Sequence, residues 1–161
     1  MLGLSGCGKT ERRYEDAQIV SIQYSYGSYN GGYYDFSVYQ SNDKIMFSAF
    51  GKNGVELSWE HEVGAAIFSD FQQIIEDNKV VKWDGFRKSN RDILDGYSFS
   101  LNIEYNNHES IQAYGYEKYP KHYNEVSSVL QEYFFDIIEE NTTFDRNRPF
   151  EKSTASDDLL P

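Results

Sequence analysis

Residues 97–105 read Tyr97-Ser98-Phe99-Ser100-Leu101-Asn102-Ile103-Glu104-Tyr105, and this stretch decides the fold. Large apolar side chains alternate with small or polar ones throughout, the period of a β-strand with one buried and one wetted face. Asn106-Asn107-His108 form a cluster of turn residues, and 110–116 returns as the second strand of a hairpin. From Tyr123 onward the apolar positions are Val126, Val129, Leu130, Tyr133, Phe134, Ile137 and Ile138. Steps of three and four replace steps of two, so the chain passes from strand to amphipathic helix.

Working toward the amino terminus, the chain matches itself at an offset of 63 residues, which lays Tyr34-Asp35-Phe36-Ser37-Val38 on Tyr97-Ser98-Phe99-Ser100-Leu101. The same offset lays Phe71, Ile74 and Ile75 on Phe134, Ile137 and Ile138, and pairs Val63 with Val126 and Ile67 with Leu130. Matches in strand and helix at one offset imply two related halves. The first half then carries strands near 18–26, 33–40, 44–51 and 55–61 and a helix near 63–78, and a strand at 79–83 opens the second. Clean alternation and short connections predict an α+β fold: an antiparallel sheet with two helices packed on one face, built from two related halves, about 17–78 and 79–141. The other face stays wet, and by parity it takes Tyr39, Phe50, Tyr114 and Tyr116. Residues 1–16 read as a polar tether and 142–161 as a flexible tail, leaving 17–141 as the single domain.

At 161 residues the chain suits one domain, and 17% aromatic content, including 14 Tyr, is far too high for a disordered one. A net charge of -11 argues against nucleic acid and against anionic lipid surfaces, since binders of either concentrate Lys and Arg. The single Cys, Cys7, precludes an internal disulfide and leaves intermolecular or modification chemistry.

Two motifs overlap at Cys7. Gly3-Leu4-Ser5-Gly6-Cys7-Gly8-Lys9-Thr10 satisfies the phosphate-loop spacing. That loop works only between a buried strand and a helix, where backbone N–H groups converge on the phosphates. Residues 11–16, Glu-Arg-Arg-Tyr-Glu-Asp, have no apolar face to pack such a helix, so no nucleotide is expected. Leu4-Ser5-Gly6-Cys7, in contrast, resembles the lipobox of small Gram-positive lipoproteins, an apolar residue and two small ones before Cys. The resemblance implies a signal peptide with a charged segment and an apolar run upstream of Leu4. It further implies lipidation of Cys7 and a protein held by that lipid to the outer face of the bacterial membrane.

No catalytic constellation is visible. His61, His108 and His122 lack a partner at ligand spacing, and Glu60 and Glu62 point away from His61 on a strand. Glu132, Asp136, Glu139 and Glu140 form a solvated helix face. No metal and no cofactor are expected. The segment 24–34, rich in Tyr, Gly, Ser and Asn, has the composition of protein- and sugar-binding loops, rigid amphipathic rings among small polar residues. The ligand-binding candidates are therefore Tyr26, Tyr29, Tyr33, Tyr39, Tyr114 and Tyr116. The function expected is an extracytoplasmic, lipid-anchored binding or interaction module for a protein, peptide or glycan. The alternative is a hydrolase whose site assembles only in three dimensions.

Overall fold

The computed structural model describes Tyr14 and residues 16–28, 30–52 and 57–146. The lipobox-like segment, Cys7 and Tyr29 lie outside these residues. The chain begins as a meander of β1 (Ile19–Ser28), β2 (Gly32–Ser41), β3 (Lys44–Lys52) and β4 (Leu57–Val63), followed by α1 (Ala66–Asp77). A short 3₁₀ helix (Val80–Trp83) and β5 (Arg87–Ser89) lead to the hairpin of β6 (Ser98–Tyr105) and β7 (Ser110–Tyr116), and α2 (Tyr123–Asn141) closes the fold. Among the described residues the strands make one seven-stranded sheet in the order β4-β3-β2-β1-β6-β7-β5. Neighbouring strands are antiparallel except β5 and β7, which run parallel. The protein is thus α+β, with a mostly antiparallel sheet and two helices.

Register follows from turn chemistry. Asn42 (φ 49°) and Asp43 (φ 64°) both sit in the left-handed region and close a two-residue turn, which aligns Ser41 with Lys44. Asn and Asp tolerate that conformation far better than branched residues. Gly27 (φ 128°) is required by crowding as well: a Cβ there would stand 2.2 Å from the Gly32 carbonyl oxygen and 2.5 Å from Tyr33 Cα.

With register fixed, alternation sorts the side chains. Ile22, Tyr24, Phe36, Val38, Phe47, Ala49, Phe99, Leu101 and Ile103 are all buried and belong to one core cluster with Ile67, Phe71 and Ile75 of α1 and Leu130, Phe134 and Ile138 of α2. Phe134 stacks on Phe36 with ring centroids 4.9 Å apart and touches Phe47 at 5.4 Å and Phe71 at 5.5 Å. A polar contact crosses the same interior: the hydroxyls of Tyr24 and Ser127 lie 2.7 Å apart, and Gln131 Nε2 donates to Ser127 Oγ, also at 2.7 Å.

Several expectations need correction. Residues 80–83 form a 3₁₀ helix instead of a strand. Lys79 turns left-handed (φ 54°) at the end of α1, and the following turn buries Val80 and Trp83, three apart, on one side. The first strand after α1 is β5. It runs parallel at the far edge beside β7, whereas β1, its counterpart at the offset, pairs with β2 in mid-sheet. Val63 ends β4 instead of starting α1. Tyr97 is 52% exposed because it precedes β6, where the alternation of Phe99, Leu101, Ile103 and Tyr105 begins. Ile74 and Ile137 are only half-buried.

Contacts also extend past 17–141. Tyr14 is buried against Tyr105 at 4.8 Å and donates to the Ser110 carbonyl at 3.0 Å. Phe144 stacks on Phe135, and Arg146 bridges Asp136 and Glu139.

Candidate functional site

Where β1 meets β6 the face of the sheet opposite the core carries a cleft of about 400 Å³. Three of the six candidate tyrosines present their rings there, Tyr33 from β2 and Tyr114 and Tyr116 from β7. Tyr26 of β1 borders the cleft, but it shares the parity of Tyr24 and its ring turns to the core side, 5.6 Å from the rings of Tyr24 and Tyr34 and 6.3 Å from Phe36. Ser25 and Ser98 supply hydroxyls on adjacent strands. Alternation places Tyr33, Tyr114 and Tyr116 here because their neighbours Tyr34, Ala113 and Gly115 turn inward.

The rim is the connection from β5 to β6, residues 90–97. The Tyr116 hydroxyl accepts from the Gly96 N–H at 2.9 Å and faces the carbonyls of Ile93 and Leu94, each at 2.9 Å. One phenol therefore pins three residues of the rim. Leu94 stands at its crest, 92% exposed, beside the 42% exposed Tyr114. Phe50 extends the aromatic surface, its ring 5.8 Å from that of Tyr33. Asp95 is the one charged side chain in the described lining, so the site offers ring faces, hydroxyls and a single carboxylate.

Tyr39 lies on the same face but toward the other end, opposite Met46, and donates to Glu60 Oε2 at 2.8 Å. That bond to a carboxylate holds the phenol above its ordinary pKa. Glu62 pairs with Lys44, and His61, on the opposite face, stacks on Trp59 at 5.6 Å. The trio 60–62 therefore diverges, and among the described residues no three His, Cys, Asp or Glu side chains come together as metal ligands.

A second cleft, about 420 Å³, opens on the α2 side of the same end of the sheet. It shares Tyr26, Gly27 and Ser98 with the first and adds Tyr97, Tyr119 and Tyr123. Sequence reading missed it, because its walls come from separate stretches of chain. Burial pushes the phenols of Tyr26, Tyr119 and Tyr123 up, so all three stay neutral donors at physiological pH.

Comparison with protein-family models, with curated proteins and with solved structures finds no match for the chain.

Proposed function

We propose that the protein is a binding module whose recognition surface is the tyrosine cleft on the sheet face away from the core. One observation carries this reading: Leu94 and Tyr114, two of the large apolar side chains that remain exposed, line that cleft, and a third, Phe50, stands beside its Tyr33. Apolar groups that folding leaves in water at one place are available to a partner. Rings with few rotors, hydroxyls and a pinned rim suit a peptide or glycan.

The reading includes an anchor. Cys7 carries a lipid that holds the module outside the bacterial membrane, an inference supported by Leu4-Ser5-Gly6-Cys7 and by the single Cys of the chain. It also includes a plan for the fold. Both helices cover the apolar face of the sheet, supported by the contacts of Phe134 with Phe36, Phe47 and Phe71. The two halves, about 17–78 and 79–141, are related at the offset of 63, supported by the burial of both members of the matched pairs Phe36 and Phe99, Val38 and Leu101, and Phe71 and Phe134.

The recognition surface is tested by selecting ligands from a peptide library and a glycan array. Leu94→Ala and Tyr114→Ala are each expected to weaken a selected ligand about tenfold or more, with Glu60→Gln as a neutral control. Ligands indifferent to both substitutions overturn the assignment. For the anchor, the product of the full gene is expected to partition into detergent, and Cys7→Ser to abolish that partition; an unmodified Cys7 thiol in the native protein overturns it.

A further inference from the structure

The cleft on the α2 side differs from its neighbour in one respect that decides its chemistry: among the described residues no charged side chain lines it. In a chain that is 25% Asp, Glu, Lys and Arg, a wholly neutral wall is unusual. Tyr26, Tyr97, Tyr119 and Tyr123 supply ring faces, and Ser98, Ser127, Ser128, Asn124 and Gln131 supply hydroxyls and amides. Such a lining offers nothing to select an ion, and its polarity disfavours a purely apolar guest. It matches a solute that is neutral, dense in hydroxyls and flat on one face.

The rings are braced from behind. Tyr119 and Tyr123 stack with centroids 4.6 Å apart, and Phe99 backs Tyr123 at 4.6 Å and Tyr119 at 6.1 Å. Tyr119 remains 38% exposed and Tyr97 52% exposed, so both present ring surface to a guest. The polar groups are partly committed and partly open. Buried Ser127 is held by Tyr24 and by Gln131 Nε2, which fixes the Gln131 amide. Its other end, Oε1, keeps its acceptor capacity. The side chains of Asn124 and Ser128 make no hydrogen bond among the described residues, and both stand one turn of α2 apart on the cleft wall.

We propose that this cleft binds a short neutral glycan, with a sugar ring lying on Tyr119 and Tyr97 and its hydroxyls bonded to Asn124, Ser128 and Gln131. The volume, about 420 Å³, falls within the roughly 300–1,000 Å³ of small-molecule sites. Because this cleft lies on the other side of the sheet, the inference stands whether or not the Leu94 and Tyr114 surface has a ligand of its own.

The test titrates the full chain with neutral tetrasaccharides (cellotetraose, maltotetraose, mannotetraose and chitotetraose) up to about 10 mM, a range that reaches weak sugar affinities. The readout is the side-chain amide NMR signals of Asn124 and Gln131. At least one sugar is expected to shift them saturably, with an affinity unchanged between roughly 50 and 500 mM salt, as for an uncharged ligand. Asn124→Ala and Ser128→Ala, both exposed positions whose change leaves the core intact, are each expected to weaken it about three- to tenfold, the loss of one hydrogen bond. Tyr114→Ala is expected to leave it unchanged. No shift with any of the four sugars overturns the proposal, as does an affinity indifferent to Asn124→Ala and Ser128→Ala or one abolished by Tyr114→Ala.

Discussion

Phe134→Ala probes the centre of the core. The ring is fully buried, stacks on Phe36 within 16° of parallel, and touches Phe47, Phe71 and Tyr133 at 5.4, 5.5 and 5.8 Å. Truncation removes the transfer free energy of the ring and leaves a cavity walled by other rings that cannot collapse into it, a combined cost of about 3–5 kcal/mol. At roughly 2–4 °C per kcal/mol for a chain of this size, the melting temperature falls by about 10 °C. Tyr39→Ala is the matched comparison, since its ring is half-buried and its hydroxyl bonds Glu60 in an exposed position. It is expected to cost less than about 1 kcal/mol. Urea unfolding followed by circular dichroism measures both, with unchanged m-values required so that the midpoints compare like states. A cost below about 1.5 kcal/mol for Phe134→Ala, well under the usual range for buried Phe, refutes the packing argument. Equal costs for the two variants refute the separation of core from solvent face.

Ser127→Ala is expected to destabilise by about 1–3 kcal/mol, because it deprives the buried Tyr24 hydroxyl of its partner; a Tyr24→Phe, Ser127→Ala double variant should cost less than the two single changes together, measured as a double-mutant cycle. Tyr116→Phe leaves the core intact and frees the rim, so amide hydrogen exchange at Gly96 should accelerate with little change in global stability. Arg146 holds the Glu139 carboxyl below the usual carboxylate range through its side-chain and backbone hydrogen bonds. A lowered folded pKa stabilises the fold above the unfolded value and ceases to do so as pH falls through the folded one. The stability difference between the native chain and Arg146→Ala should therefore be full near neutrality and decline once pH drops below the ordinary Glu range, disappearing as pH falls through the lowered folded value.

The parts of the fold that were legible in the sequence are those where local pattern and tertiary environment agree. β6, β7 and α2 each bury one face, so their periods of 2 and 3.6 survive in the order of residues. β5 left no such trace: Arg87, Lys88 and Ser89 are all exposed, and the strand exists because β7 offers an edge. Val80 to Trp83 form an apolar run too short for periodicity to separate strand from turn, and the left-handed Lys79 decided it. Tyr14 sat in a charged segment and showed no sign of its contact with Tyr105. At the candidate site, Tyr114 and Tyr116 were readable because parity assigns them to the wet face, and Tyr33 because the composition of 24–34 marks that segment. Leu94 was not, since its role depends on a rim tied down by a hydroxyl from another strand.

The placement of β1 between β2 and β6 has a consequence for how the chain comes to be folded. β1 finds β2 at once, across a short turn, but its other neighbour is made only after α1, β5 and the rim, with Ile22 waiting for Ile103 and Tyr24 for Leu101. Such distant pairing is slow, because the loop must close before the contacts compensate for it. During synthesis the meander thus emerges with β1 bare as well as β4, and the β1 edge is flanked by side chains destined for the core. A chain stopped at Asp77 would keep that edge permanently and offer it to other copies, so such fragments should aggregate where the full chain does not.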